Sequence, residues 1–169
     1  LARLAGAKFV PFSAVNVLLR LIELPAALGV TLKASVALCN IARFHAPGSN
    51  SIALRLMRRC ADTITMRAKH SCEATVQQYI SRTMVFLAQS ITLPASHSVV
   101  DELHSASEWR ATAECILKPL HPEICPLCNV AAVEEIVRAI WQICATLTQF
   151  SRIFLNAGAV RYTLEIIKS

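Results

Sequence analysis

The residues best suited to chemistry fall in one short stretch, Cys115-x5-His121-x3-Cys125-x2-Cys128. Two cysteines separated by two residues put both thiolates on one tight turn, and a nearby His and third Cys complete a tetrahedral zinc set. Pro119, Pro122 and Pro126 shape a loop that can fold back on a metal. A full zinc signature has two well-spaced pairs and this chain has one, so the competing reading is a loop whose thiols pack under neighbouring helices. Thiol exchange at Cys125-Pro-Leu-Cys128 would want the first Cys at a helix N-terminus in a βαβ setting, which is absent here. The sequence implies no cofactor other than such a zinc.

A second constellation is basic. On a helical wheel over about Ser51 to Ala68, the apolar Ala53, Met57, Cys60, Ala61, Ile64 and Ala68 gather on one side. Arg55, Arg58 and Arg59 fall opposite with Asp62 among them, Arg67 and Lys69 lie beyond, and Arg43, His45 and His70 extend the set. Guanidinium groups match phosphate oxygens bidentately, so such a row can track an RNA backbone; the plainer reading is a solvated helix face. Aromatics that could read bases are sparse, and Tyr79, Trp109, Trp141 and Tyr162 read as packing residues. A phosphate-directed contact with little sequence preference follows.

Catalytic patterns are missing. His45, His70, His97, His104 and His121 are scattered over loops and helix ends, and Asp101, Glu102 and His104 fit caps and dipole partners at a helix start. There is no glycine-rich phosphate loop, no nucleophile elbow and no His-Glu-x-x-His. The chain reads as a non-enzyme.

These groups must be positioned by helices. At 169 residues the chain is long enough for one domain with a real core. Hydrophobic residues make up 54% and charged residues only 17%, so apolar surface exceeds what one small domain can hide. The surplus is expected to face other protein subunits. It does not imply a membrane span. The longest stretch without a formal charge, Thr83 to Val100, is interrupted by Gln89, Pro94 and His97. Charge is uneven: residues 1–72 carry ten Lys or Arg against two acids, and residues 73–169 carry seven against nine. That split points the N-terminal half at a polyanion. Seven cysteines, mostly inside apolar helical patterns, point to a reducing compartment. The acid-free first 22 residues, with Arg3, Lys8 and Arg20, match the remnant of an organellar transit region, and the chain reads as processed or as a piece of a longer one.

Periodicity and punctuation predict seven helices: Ser13–Leu24, Thr31–Phe44, Ser51–Ala68, Cys72–Thr92, Ser98–Leu117, Val130–Thr148, and Ser151 to the end with a bend near Gly158. An irregular stretch, 118–129, precedes the sixth, and no segment alternates as a strand would. The expected class is all-α, with antiparallel helical hairpins stacked in a single domain over 1–169.

Parts of the chain echo each other. "SVALCNIARF" followed by "SIALRLMRRCADTI" is similar to "IVRAIWQICATL" followed by "RIFLNAGAVRYTLEII", and "ISRTMVFLAQS" repeats the first helix, with Ser98–Leu117 as its partner. Units of this length that cannot bury their apolar faces alone mark an α-solenoid. The Ala-rich first helix with its aromatic or Leu and Ala step, joined by a short linker to a helix opening on Leu or Ile, resembles the organellar octotricopeptide and heptatricopeptide repeat proteins related to the RAP-domain group. The resemblance covers 12–68 and 131–168, with uneven spacing and no terminal RAP module. It implies RNA binding in mitochondria or plastids, and for some members a place as added subunits of mitochondrial ribosomes. Armadillo and HEAT scaffolds share the periodicity. The expectation is a subunit of an organellar ribonucleoprotein in the mitochondrial matrix, meeting rRNA through its basic N-terminal half and other subunits through apolar helix faces. The alternative is a protein–protein scaffold or an accessory subunit of another organellar complex.

Overall fold

A helix starts where its first free amides find an acceptor, and two starts show this directly. Asn129 accepts from the Ala131 amide at 2.9 Å, and Ser49 Oγ accepts from the Ile52 amide at 3.3 Å. The computed structural model describes residues 12–24, 28–45, 47, 49–68, 73–91, 106–121, 123 and 129–168. These form α1 (Phe12–Glu23), α2 (Leu28–Phe44), α3 (Asn50–Ala68), α4 (Ala74–Ser90) and α5 (Ala106–Leu117). A 3₁₀ turn at Lys118–Leu120 follows, then α6 (Val130–Thr146), α7 (Thr148–Asn156) and α8 (Ala159–Lys168). No strand occurs among the described residues, and the protein is all-α.

The last expected helix is two. Gly158 adopts φ of +95°, a left-handed conformation open to glycine, and separates α7 from α8. The fifth begins at Ala106; residues 92–105, where its earlier start was expected, lie outside the described residues.

Helices pack in two layers. α1, α3, α5 and α7 follow one another in the first, and α2, α4 and α6 in the second. Across the layers α1 meets α2, α3 meets α4, and α6 meets α7. This is the stacking of helical hairpins in a solenoid. The three sequence echoes assigned to first helices are α2, α4 and α6, the members of one layer. The expected pairing of α6 with α7 holds, whereas those of α2 with α3 and of α4 with α5 need revision, because these consecutive helices scarcely touch. The tight hairpins join α1 to α2 and α3 to α4 instead.

Two polar contacts advance together along α4 and α6. The Gln77 side chain accepts from the Asn129 amide at 2.8 Å, and one turn further Arg82 binds Glu135. The two helices therefore run parallel. Small residues let this layer close up: Ala34, Ser35, Ser81, Ala88, Ala132 and Ala139 are all buried. The buried hydroxyls are satisfied within their own helices, Ser35 by the Leu32 carbonyl and Ser81 by that of Gln77, both at 2.8 Å.

Larger side chains fill the space between layers. Leu19 and Ile22 of α1, Leu54, Met57 and Ile64 of α3, Ile80 and Met84 of α4, and Ile136 and Ile143 of α6 are almost fully removed from water. At the far end Trp109 meets Phe150 edge-on, centroids 4.0 Å apart. No helix among the described residues is long and apolar enough to cross a membrane.

Candidate nucleic-acid interface

α3 is covered on most of its circumference by α1, α4, α5 and the 3₁₀ turn, which leaves one polar ridge facing out. Arg55 and Arg58 stand exposed on that ridge, with no ion-pair partner among the described residues. Arg59, one position on, turns toward α1. Its Nη2 donates to Glu23 Oε1 at 2.9 Å, and the same oxygen accepts from Thr63 Oγ1 at 2.9 Å. Asp62, a turn further, accepts from Lys118 Nζ at 3.4 Å. On α1, Arg20 is also exposed, one turn before Glu23, and carries no partner among the described residues. The acids Glu23 and Asp62 each bind one cation, so Arg20, Arg55 and Arg58 are left as net positive charge on the outer face of this layer.

The other expected phosphate contacts divide. Arg67 is not on the ridge: its side chain is only 9% exposed, bonded through Nη2 to Glu73 Oε2 at 3.3 Å and Thr31 Oγ1 at 3.4 Å. Its Nε is buried with no acceptor. Near the end of α3 the helical period brings this arginine inward, to where α2 and α4 begin, and it ties their first turns to α3. Arg43 is exposed but belongs to α2, in the opposite layer, where its guanidinium stacks 5.2 Å from the Phe44 ring centroid. Lys69 and His70 lie outside the described residues. Arg20, passed over in the sequence as part of an N-terminal charge excess, joins the surface because α1 stacks beside α3.

The cysteine–histidine constellation is partly described. Cys115 sits on the face of α5 turned to α3, its thiol donating to Asp62 Oδ1 at 3.0 Å and to the Arg58 carbonyl at 3.7 Å. Burial, helped by the Asp62 carboxylate, pushes this thiol up to about 12, so it stays protonated in this arrangement. His121 Nδ1 accepts from the Glu123 amide at 3.2 Å, and its ring lies 4.9 Å from that of Tyr162 on α8. Cys125 and Cys128 lie outside the described residues. Among the described residues no group of three or more His, Cys, Asp or Glu could hold a metal ion.

The aromatic residues also need one correction. Trp109 is buried as expected, but Trp141 of α6 is 65% exposed. A cleft with about 410 Å³ of empty space, open to solvent, lies between the ends of α2 and α3. Leu38, Ile41, Ile52, Leu56 and Leu87 line it, with His45, Cys60 and Thr83 as its polar members. Cys60, wholly buried, has its thiol pushed up to about 12 by that burial, which makes it a poor nucleophile.

No protein-family model, no curated protein and no solved structure matches the chain.

Proposed function

We propose that this protein is a non-catalytic, helical-repeat subunit of an organellar ribonucleoprotein, most concretely a mitochondrial ribosome in the matrix. The observation that carries the reading is the contrast along α3. Arg55 and Arg58 are exposed and unpaired among the described residues, while the nearby carboxylates of Glu23 and Asp62 are already engaged. With Arg20 of α1 they offer phosphate-binding forks across adjacent helices of one layer. The exposed aromatics Phe44 and Trp141 belong to the other layer, so the basic ridge contacts backbone and does not stack bases.

The test is native purification of the tagged protein from its source, with RNA and protein quantified before and after nuclease. rRNA and ribosomal proteins at fixed stoichiometry are expected. A nuclease-insensitive protein assembly without RNA would overturn the reading.

A second reading, a protein–protein scaffold, is favoured by a different observation. Val17, Leu21 and Leu24 form a stripe on the outer side of α1, each more than a third exposed. Apolar side chains at this i, i+4, i+7 spacing make a ridge that another protein surface can cover. Under this reading Arg55→Glu with Arg58→Glu leaves assembly intact, and Val17→Asp with Leu21→Asp breaks it.

A further inference from the structure

We propose that α6 pairs with α6 of a second copy of this chain, antiparallel about a two-fold axis near Ile136, as a reversible homodimer contact. The premise is a gap in the stacking. α2, α4 and α6 follow one another in one layer, and a hairpin after α7 would place the next helix against α6. α8 does not go there. The turn at Gly158 sends it back against α7 and the 3₁₀ turn, where Tyr162 meets His121. The face of α6 opposite α4 is left open. It carries Val130 at 82% exposure and Trp141 at 65%, with the exposed Glu134 and Arg138 between them.

What identifies the occupant is that this face is complementary to itself. When two copies are laid antiparallel with residue 136 at the centre, Glu134 of one lies level with Arg138 of the other, twice over. The same register brings each Trp141 to within one residue, about 1.5 Å along the axis, of the level of its partner's Val130, at the two ends of the contact. One placement therefore satisfies both the charges and the apolar pair, as an isologous interface requires. A parallel pairing would set Trp141 on Trp141 and like charge on like. Glu134 and Arg138 already bind each other at 3.0 Å within the helix, both well exposed, so exchanging partners costs little. The deeper Glu135 stays with Arg82 and, through its second oxygen, with Arg138 Nη1 at 3.5 Å, so the exchange involves Arg138 Nη2 alone. A single helix pair falls short of the roughly 1,200 Å² typical of stable complexes, so the contact is expected to be weak and reversible.

The experiment is sedimentation velocity of the purified, nuclease-treated chain over a concentration series spanning the micromolar range. A monomer–dimer equilibrium is expected. Trp141→Glu should weaken it by about a hundredfold or more, because each dimer loses two anchors. Glu134→Arg alone and Arg138→Glu alone should each dissociate it, and mixing these two variants should restore a mixed dimer in which every pair is again opposite. Circular dichroism melting confirms that each variant folds. If Arg138→Glu disturbs the nearby Glu135, Glu134→Arg and Trp141→Glu still decide, since both side chains are largely solvated. A chain that is monomeric throughout the series, or a dimer indifferent to Trp141→Glu and Glu134→Arg, overturns the proposal.

Discussion

Arg82 of α4 donates through Nε and Nη2 to a single oxygen of Glu135 on α6, at 3.2 and 3.1 Å. The Glu135 side chain is only 9% exposed, whereas that of Arg82 is nearly half exposed, so the pair lies at the rim of the interface between the two parallel helices. Arg138 reaches the other carboxylate oxygen at 3.5 Å. This arrangement differs from the surface pairs within α5 and α6, which a helix makes without any tertiary partner.

Removing Arg82 should therefore cost more than removing an i,i+4 partner. Arg82→Ala leaves the buried Glu135 with one long contact, and about 1–2 kcal/mol of stability is expected to be lost. Arg110→Ala should cost under about 0.5 kcal/mol. Urea denaturation of the two variants under the same conditions makes the comparison, and equal effects would mean that the Glu135 pair is not desolvated.

Arginines on one helix should behave in opposite ways. Arg55→Glu with Arg58→Glu is expected to change stability by less than about 0.5 kcal/mol and to abolish RNA association. Neutralising both to Gln should lower the slope of log affinity against log salt by about 1–2. Fluorescence anisotropy with a labelled RNA duplex reads both effects.

Arg67→Met is the counterpart. The side chain is buried with an unsatisfied Nε and two long hydrogen bonds, so an apolar replacement of similar length should be neutral or stabilising, within about 1 kcal/mol. RNA affinity should fall only by the loss of one distant charge. Arg67→Glu, which sets a carboxylate beside Glu73, should cost about 3 kcal/mol or more. Thermal melts distinguish this tie between helices from a binding residue.

Alkaline pH should destabilise the fold through its thiols. Cys60 and Cys115 are raised to about 12 from the ordinary 9, in both cases chiefly by burial. The unfolded chain therefore releases these protons at lower pH than the native state does. The stability they contribute is fully present below about pH 9 and is lost progressively as pH rises toward about 12. Melting temperature should fall over this window, and less steeply in Cys60→Ala and Cys115→Ser than in the parent. Native Cys60 and Cys115 should also react slowly with a thiol reagent at neutral pH, and rapid labelling of either would contradict their burial.

Gly158→Ala should loosen the C-terminal helix. A left-handed φ is strained for alanine, and the added Cβ would stand 3.3 Å from the Tyr162 ring. A cost of about 1–2 kcal/mol is expected. Hydrogen exchange along α8 should show the loss first, because the glycine sets its direction.

Much of the framework was legible in residue order alone. An apolar repeat near 3.6, broken at Gly158, is local information, and a helix needs little else to be located. The same period put Ala53, Met57, Cys60, Ala61 and Ile64 inward and Arg55 and Arg58 outward, as observed. The echoes among α2, α4 and α6 marked one layer for a related reason: helices stacked on like neighbours need like faces. What tertiary structure alone decided was which partner each polar or aromatic group meets. Arg59 and Arg67 match Arg55 in type, but Glu23 comes to one from α1, and Glu73 with Thr31 comes to the other from α4 and α2. Trp141 read as a packing residue by its type, yet it shares a helix face with Glu134 and Arg138, and α8, turned away from α6, leaves that face in water. Helical periodicity determines the direction in which a side chain leaves its own axis; contacts distant in the chain determine whether water, a carboxylate or another helix is waiting there.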